Sequence, residues 1–186
     1  MKRIFDLFFS VVLFVLFLIP FILIPIFIKT TSRGPILFWS DRVGKYNRIF
    51  QMPKFRTMEI HSPIVATHLL NNPNIYLTPI GSFLRKSSLD ELPQLWNIFI
   101  GDMSFVGPRP ALFNQHDLIR SRTLRGINQL RPGLTGWAQI NGRDKLSIRL
   151  KVQLDEEYLK KKSFLFDLKI LWLTVIKFFM AHDISH

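Results

Sequence analysis

Two adjacent carboxylates, Asp90 and Glu91, are the side chains in this sequence best placed to do chemistry. Pro93 follows them closely and lacks an N–H, so it fits the first turn of a helix, where backbone N–H groups have no partner. We therefore expect a helix that begins near Asp90, with Ser88 as the alternative cap and Glu91 as its capping-box partner. Both carboxylates would then lie where the helix dipole attracts anions, so a purely structural capping role stays open beside a chemical one.

Two segments rich in glycine and proline are predicted to form loops of fixed shape that present arginines. Residues 101–110 place Arg109 between two prolines, and residues 131–143 begin with Arg131 and end with Arg143. Glycine allows the backbone to approach a ligand closely, and a guanidinium group matches the oxygens of phosphate. The second loop has neither the ending of a P-loop nor the glycine spacing of a dinucleotide-binding turn. An ordinary turn with a surface arginine is the alternative for Arg109.

Composition narrows the classes of function that fit the chain. The 186 residues are enough for one domain with a real core. A formal net charge of +12 indicates a polyanionic partner, which could be nucleic acid, anionic lipid or a phosphorylated substrate. The absence of cysteine excludes disulfides, thiolate chemistry and a zinc finger. The mean hydropathy is nevertheless positive, at +0.18, which is unusual for a soluble nucleic-acid-binding protein.

The apolar residues are concentrated in residues 7–28, where Ser10 is the one polar side chain and Pro20 and Pro25 interrupt the run. This length reaches the roughly 20 residues that cross a bilayer core, and it is too long for a signal peptide. Cationic side chains flank the run on both sides, and such flanks mark the cytoplasmic face. We therefore favour a re-entrant helix broken near Pro20. A kinked spanning helix stays open, because membrane helices tolerate proline.

The remaining patterns predict a mainly helical α+β fold with a small β-hairpin. Residues 36–40 and 48–55 are typical of two short strands around a turn. Residues 146–162 form a charged helix in which Asp155 and Tyr158 stand out. The last helix, residues 164–181, carries its polar side chains within one arc of the helical wheel. That arc comprises Asp167, Lys169, Thr174 and Lys177. This pattern suits an amphipathic helix in the membrane interface, with a buried core helix as the alternative.

Seven motifs occur in an order that identifies a family. They are Lys-Arg-Ile-Phe-Asp at 2–6, Gly-Pro-Ile-Leu-Phe at 34–38, Lys-Phe-Arg-Thr-Met at 54–58, Ser-Leu-Asp-Glu-Leu-Pro-Gln-Leu at 88–95, Gly-Asp-Met-Ser-Phe-Val-Gly-Pro-Arg-Pro at 101–110, Arg-Pro-Gly-Leu-Thr-Gly at 131–136 and Gln-Ile-Asn-Gly-Arg at 139–143. Together they resemble the small monotopic phosphoglycosyl transferases of the bacterial sugar transferase family, over nearly the whole chain. One departure is Ile19-Pro20, where the family commonly has Ser-Pro.

The resemblance implies a fold, a location and a reaction. Residues 1–30 would form a re-entrant anchor, and residues 31–186 a cytoplasmic catalytic domain with interfacial helices that forms one unit with the anchor. Both would lie at the cytoplasmic face of the bacterial inner membrane. The implied reaction transfers a sugar-1-phosphate from a nucleotide diphosphosugar, expected to be a UDP-sugar, to polyprenyl (undecaprenyl) phosphate. UMP would be released, Mg²⁺ would be required, and downstream glycosyltransferases would continue glycoconjugate assembly.

The resemblance also assigns roles to individual residues. The family's catalytic Asp-Glu dyad falls on Asp90 and Glu91. We expect Asp90 to attack the β-phosphorus and form a covalent aspartyl phosphosugar intermediate. Glu91 would hold the metal or steer the incoming phosphate, so the metal site is assigned to the dyad. Because a carboxylate and a diphosphate repel each other, cations must neutralise the phosphates. The expected phosphate-binding residues are Arg109, Arg143, Arg85, Arg131 and Lys54.

Two functions without catalysis are the alternatives. A membrane-tethered nucleic-acid-binding protein would explain the charge, but not the paired carboxylates beside shaped loops. Aromatic residues are also not interleaved with a basic stripe, as base stacking would require, so we expect no nucleic-acid partner. A non-catalytic scaffold on the membrane surface would explain the anchor through attraction to anionic lipid. It predicts that Asp90→Asn changes nothing.

Overall fold

The computed structural model describes residues 1–62, 73–142 and 146–183. The fold is α+β and mostly helical, as predicted. The helices are α1 (Lys2–Leu16), α2 (Leu18–Thr31), α3 (Gly81–Lys86), α4 (Leu95–Ile100), α5 (His116–Leu124), α6 (Trp137–Ile140), α7 (Ile148–Lys161) and α8 (Phe164–Asp183). The strands are β1 (Leu37–Val43), β2 (Ile49–Phe55), β3 (Ser104–Val106), β4 (Ala111–Leu112) and β5 (Gly133–Thr135).

The predicted hairpin is confirmed as the antiparallel pair of β1 and β2. Its register runs from Leu37 opposite Phe55 to Val43 opposite Ile49, and β4 adds to the free edge of β1. A second, two-stranded sheet pairs β3 with β5 in parallel. Because β2 packs against the turn that carries the two carboxylates, the hairpin brings the end of β2 to that turn.

The N-terminal run forms two helices rather than one. α1 and α2 are bent by 61° at Phe17. Pro20 explains the position, because it can donate no bond to the Leu16 carbonyl four residues before it and its ring crowds that carbonyl. The break therefore lies three residues before Pro20. Pro25, expected to be a second breaker, lies inside α2, which continues past it.

Within the described ranges, no helix alone has the length and apolar composition to cross a bilayer. The bent pair of α1 and α2 meets both requirements together. Its two ends are held by the same folded unit. Lys2 donates to the Val106 carbonyl at 2.9 Å, and Arg56 donates to the Arg33 carbonyl at 2.5 Å and to Ser32 Oγ at 2.6 Å.

The largest hydrophobic cluster joins β2, β3, α4, α6, α7 and α8. Its buried members are Met52, Leu95, Ile98, Met103, Phe105, Val106, Ile140, Tyr158 and Ile170. Phe5 and Phe21 pack against this cluster from the N-terminal helices. A second cluster joins Ile24 and Ile28 of α2 to Phe55 and Leu84. α2 thus contributes to both clusters and α1 to the first, and Leu92, beside Glu91, packs against both.

α8 turns most of its polar arc towards the protein. Asp167 is buried and accepts from Lys2 at 2.6 Å, Thr174 shares a hydrogen bond with Thr135, and Lys177 donates to the Ile140 carbonyl. The apolar side points outwards. Its exposed members are Leu165, Leu168, Trp172, Val175, Phe178 and Met180. Ile170 is buried in the core and Leu173 packs against it, so α8 has apolar side chains both against the protein and on its outer side.

Candidate active site

Asp90 and Glu91 lie in a 3₁₀ helix, Leu89–Gln94, that leads directly into α4. The helix begins at Leu89, next to Asp90 as expected, but its cap position is taken by the alternative residue, Ser88, with a φ of 56°. Ser88 uses its carbonyl to accept from the Glu91 N–H at 3.2 Å, and its side chain forms no capping bond. Pro93 interrupts the backbone hydrogen bonds here, and α-helical geometry begins only after it, at Leu95.

Three of the predicted cations surround the two carboxylates. The Lys54 ammonium lies 2.6 Å from Glu91 Oε1 and 3.7 Å from Asp90 Oδ2. The Arg109 guanidinium lies 3.3 Å from the same Glu91 oxygen. Arg85, on α3, acts on Asp90 through its charge. The hairpin, the loop after β3 and α3 therefore each supply one cation to the dyad.

The two carboxylates differ in how well their charge is stabilised. Burial raises the pKa of Asp90, against the opposing charges of Lys54 and Arg85. Burial also acts to raise the pKa of Glu91, but Lys54 and Arg109 outweigh it and lower this pKa to about 2. Glu91 is therefore ionised at any working pH and cannot donate a proton. Asp90 is the more basic carboxylate, which is the property that a nucleophile needs.

Two further arginines were predicted to bind phosphate, Arg143 and Arg131. Arg143 lies outside the described residues. The side chain of Arg131 is exposed and forms no hydrogen bond or ion pair with either carboxylate. The Arg131 backbone instead closes against Gly107, where an added Cβ would collide with the Arg131 carbonyl. The phosphate-binding role of Arg131 stays a prediction, and the backbone of this segment serves the packing of β3 and β5.

Glycines at the two shaped loops allow the loops to pack on each other. A Cβ at Gly133 would meet the backbone nitrogen of Gly107, and one at Gly136 would meet the Gly107 carbonyl. The Gly107 N–H donates to the Thr135 carbonyl at 2.9 Å. The glycines of both motifs thus fix the loop that carries Arg109.

Sequence reasoning missed two further arginines that hold this loop. Arg122 donates to the Arg109 carbonyl at 2.8 Å, and Arg42 donates to the Pro110 carbonyl at 3.2 Å. Both residues stand in segments whose charge looks like an ordinary solvated surface. Asp155 is the ion-pair partner of Arg122. It did stand out in the sequence, and it was the one sequence feature that could have pointed to Arg122.

A magnesium ion fits the donor set in a limited way. Among the described residues, no three His, Asp or Glu side chains cluster closely enough to hold a metal. Mg²⁺ at phosphate sites, however, commonly takes one or two carboxylates together with waters and substrate phosphates. The two carboxylates of the dyad match that pattern. Such a site binds Mg²⁺ together with the diphosphate of a substrate, and protein side chains alone do not complete it.

Fold and site together define an α+β protein with a carboxylate dyad enclosed by cations, suited to an anionic ligand. The model of the bacterial sugar transferase family matches residues 1–181, and the chain belongs to this family.

Relatives across the bacteria agree with this assignment. The chain is 38% identical to the uncharacterized sugar transferase EpsL of Bacillus subtilis over 185 residues, which cover 100% of this chain and 90% of that relative. It is 40% identical to the UDP-glucose:undecaprenyl-phosphate glucose-1-phosphate transferase of Escherichia coli over 82% of this chain. It is 36% identical to the exopolysaccharide production protein ExoY of Rhizobium meliloti, over 94% of this chain and 83% of that relative. The match spans only 34% of the Escherichia coli protein, so the chain corresponds to one part of that longer relative.

Proposed function

We propose that this protein transfers a sugar-1-phosphate from a UDP-sugar to undecaprenyl phosphate, giving the undecaprenyl-diphosphate sugar and UMP. The observation that carries the proposal is the dyad of Asp90 and Glu91 under the cations Lys54, Arg85 and Arg109. The names of related proteins support the substrates, since several are transferases of glucose-1-phosphate to undecaprenyl phosphate.

The reaction begins when a carboxylate oxygen of Asp90 attacks the β-phosphorus of the nucleotide sugar. A new P–O bond forms, the bond from this phosphorus to the bridging oxygen breaks, and UMP leaves with the electron pair. An oxygen of undecaprenyl phosphate then attacks the same phosphorus. The acyl-phosphate bond breaks and Asp90 returns as a carboxylate. Lys54 and Arg109 neutralise the phosphate oxygens, which lowers the repulsion that otherwise opposes attack by an anion.

Glu91 keeps Lys54 and Arg109 in place before the substrate arrives. Its low pKa means that it does so as a permanent anion, without exchanging protons during the reaction. Mg²⁺, when bound, would be held by Asp90 and Glu91 and would supply further neutralisation of the diphosphate charge.

We infer that α1 and α2 enter and leave the same face of the membrane. Lys2 at the start of α1 and Ser32 at the end of α2 both bond to the unit that carries the dyad, which a helix spanning the bilayer would prevent. The outward apolar side of α8 supports contact of that unit with lipid, and so do Trp96 and Ile100 of α4, about half exposed at 51% and 49%. The proposed location is the cytoplasmic face of the bacterial inner membrane.

Turnover of purified protein in lipid nanodiscs tests the proposed reaction. The assay contains Mg²⁺, undecaprenyl phosphate and one of a panel of UDP-sugars, and it follows both UMP and the lipid-linked sugar. We expect turnover of at least one sugar by the native protein and none by Asp90→Asn. Turnover by Asp90→Asn at the native rate would contradict the assigned nucleophile. Silence of folded native protein across the panel would favour the scaffold alternative.

A further inference from the structure

The backbone of the Arg109 loop is held from behind by two guanidinium groups. Arg122 Nη1 lies 2.8 Å from the Arg109 carbonyl, and Arg42 Nη1 lies 3.2 Å from the Pro110 carbonyl. The Arg109 side chain itself is 42% exposed. The guanidinium reaches Glu91 from this backbone, so a shift of the loop would move it away from Glu91.

Arg122 is in turn fixed by a buried carboxylate on another helix. Its Nε and Nη2 lie 2.9 and 2.6 Å from Asp155 Oδ2, and Asp155 is only 1% exposed. A single guanidinium thus joins α5, α7 and the Arg109 loop. A buried ion pair is a poor source of net stability, because desolvation of both charges offsets their attraction. The geometry of this ion pair is better explained by the hydrogen bond that the aligned Arg122 guanidinium donates to the Arg109 carbonyl.

We propose that Arg122 and Asp155 are positioning residues that set the Arg109 guanidinium against Glu91 and against the diphosphate of the substrate. Asp155 aligns the Arg122 fork, and the remaining Nη1 of the fork holds the Arg109 carbonyl. This inference rests on the proposed sugar-phosphate transfer, which gives Arg109 its ligand. It assigns a role in the reaction to two residues that do not touch the dyad.

Arg122→Lys is the informative substitution. Lysine keeps a positive charge for Asp155, so no buried charge is left alone, but it lacks the planar fork that serves the carboxylate and the carbonyl at once. We expect kcat/KM to fall about tenfold to a hundredfold, as for a displaced substrate-positioning group. Native kcat/KM in this variant would overturn the proposal.

Arg125→Lys is the matched control. Arg125 directly follows α5 and pairs with Glu156 of α7, so it links the same two segments of the chain, but it is exposed and does not touch the Arg109 loop. Exposed ion pairs contribute little, so this change should alter kcat/KM by no more than about twofold. A loss equal to that of Arg122→Lys would overturn the proposal, because it would assign the effect to the packing of the helices.

A double-mutant cycle with Arg109→Ala separates positioning from general damage. If Arg122 acts through Arg109, adding Arg122→Lys to Arg109→Ala should cost no more than about twofold further, because coupled residues are not additive. Losses that multiply in full would overturn the proposal.

The pair Arg122→Met with Asp155→Leu provides a second test, since removing both buried charges spares the fold while releasing the Arg109 carbonyl. It should show the same loss and the same dependence on Arg109, and native activity would overturn the proposal.

Hydrogen exchange provides a readout that does not depend on turnover. In nanodiscs, amides in residues 105–112 should exchange faster in Arg122→Lys than in native protein or in Arg125→Lys. Equal exchange in all three proteins would overturn the proposed restraint. This measurement remains decisive if native protein transfers none of the sugars tested, an outcome that would refute the proposed function separately.

Discussion

At the scale of single residues, the dyad divides its work through its surroundings. Glu91 bonds to Lys54 and Arg109 and is a stable anion, whereas Asp90 is buried with weaker compensation. Two carboxylates in one turn therefore differ in basicity. The proposed mechanism uses this difference, with Asp90 as the nucleophile and Glu91 as the group that holds the cations.

Glu91 should stabilise the folded state only at a pH where its carboxylate is ionised. Its pKa falls from 4.5 to about 2, so its stabilisation is fully present above about pH 4.5 and is lost as pH falls towards 2. We expect Glu91→Gln to lower the melting temperature at pH 7. The difference in melting temperature between the two proteins should shrink as pH falls from 4.5 towards 2. Thermal unfolding of both proteins across that range tests the prediction, and a deficit that does not change with pH would contradict it.

Asp90→Asn should have the opposite effect on stability. Burial raises the pKa of Asp90, which means that the folded state favours its neutral form and bears a cost for the anion at neutral pH. The neutral amide should therefore raise the melting temperature at pH 7 while it abolishes turnover. A thermal shift assay in detergent tests this. A melting temperature below that of native protein would argue that the Asp90 anion is a structural group.

At the scale of elements, the start of α1 is part of the scaffold of the site. Lys2 holds the Val106 carbonyl, three residues before Arg109, and Asp6 accepts from the Phe105 N–H at 3.2 Å. Arg3 donates to the carbonyls of Ile98 and Phe99 at 2.5 and 2.6 Å, at the end of α4, which follows the 3₁₀ helix of the dyad. The start of α1 thus holds both the strand before the Arg109 loop and the end of α4.

Arg3→Met should destabilise α4, the helix that follows the dyad. It removes two charge-assisted hydrogen bonds, each contributing about 1.5–3 kcal/mol, and a cation that favours the carboxyl end of α4. We expect a lower melting temperature and a reduced kcat. Lys29→Met is the control, because Lys29 is a cation at the other end of the apolar run and bonds to the Gly34 carbonyl at 3.3 Å. Equal losses in both variants would show that only the flanking charge matters.

The elements also show which parts of this structure are readable from sequence. The hairpin followed from alternation and turn residues, which are local properties, and it lies within a few residues of its predicted bounds. The dyad and three of its cations followed from motifs. The backbone role of the Arg131 segment and the role of Arg122 were missed, because the pairing of β3 with β5 and the contact of α5 with α7 join distant parts of the chain. No local pattern distinguishes a guanidinium that binds phosphate from one that binds a carbonyl.

At the scale of the whole molecule, the bend between α1 and α2 and the attachment of both ends to one folded unit predict a re-entrant topology. The chain has no cysteine, so each introduced cysteine is a unique label. We expect an N-terminal cysteine tag and Arg33→Cys to react with an impermeant maleimide from the same, cytoplasmic side of sealed vesicles. Reaction of the two sites from opposite sides would establish a spanning helix instead.

The most direct test of the account is whether Asp90 becomes covalently modified. Native protein is incubated with a UDP-sugar carrying label in the β-phosphate, in the absence of undecaprenyl phosphate, and the protein is analysed by intact mass and by peptide mapping. The account predicts a burst of UMP and an adduct of one sugar phosphate per protein on the peptide that contains Asp90. The adduct should disappear when undecaprenyl phosphate is added and should be absent in Asp90→Asn. Release of UMP only when the lipid phosphate is present, with no adduct, would contradict the covalent mechanism and indicate direct transfer.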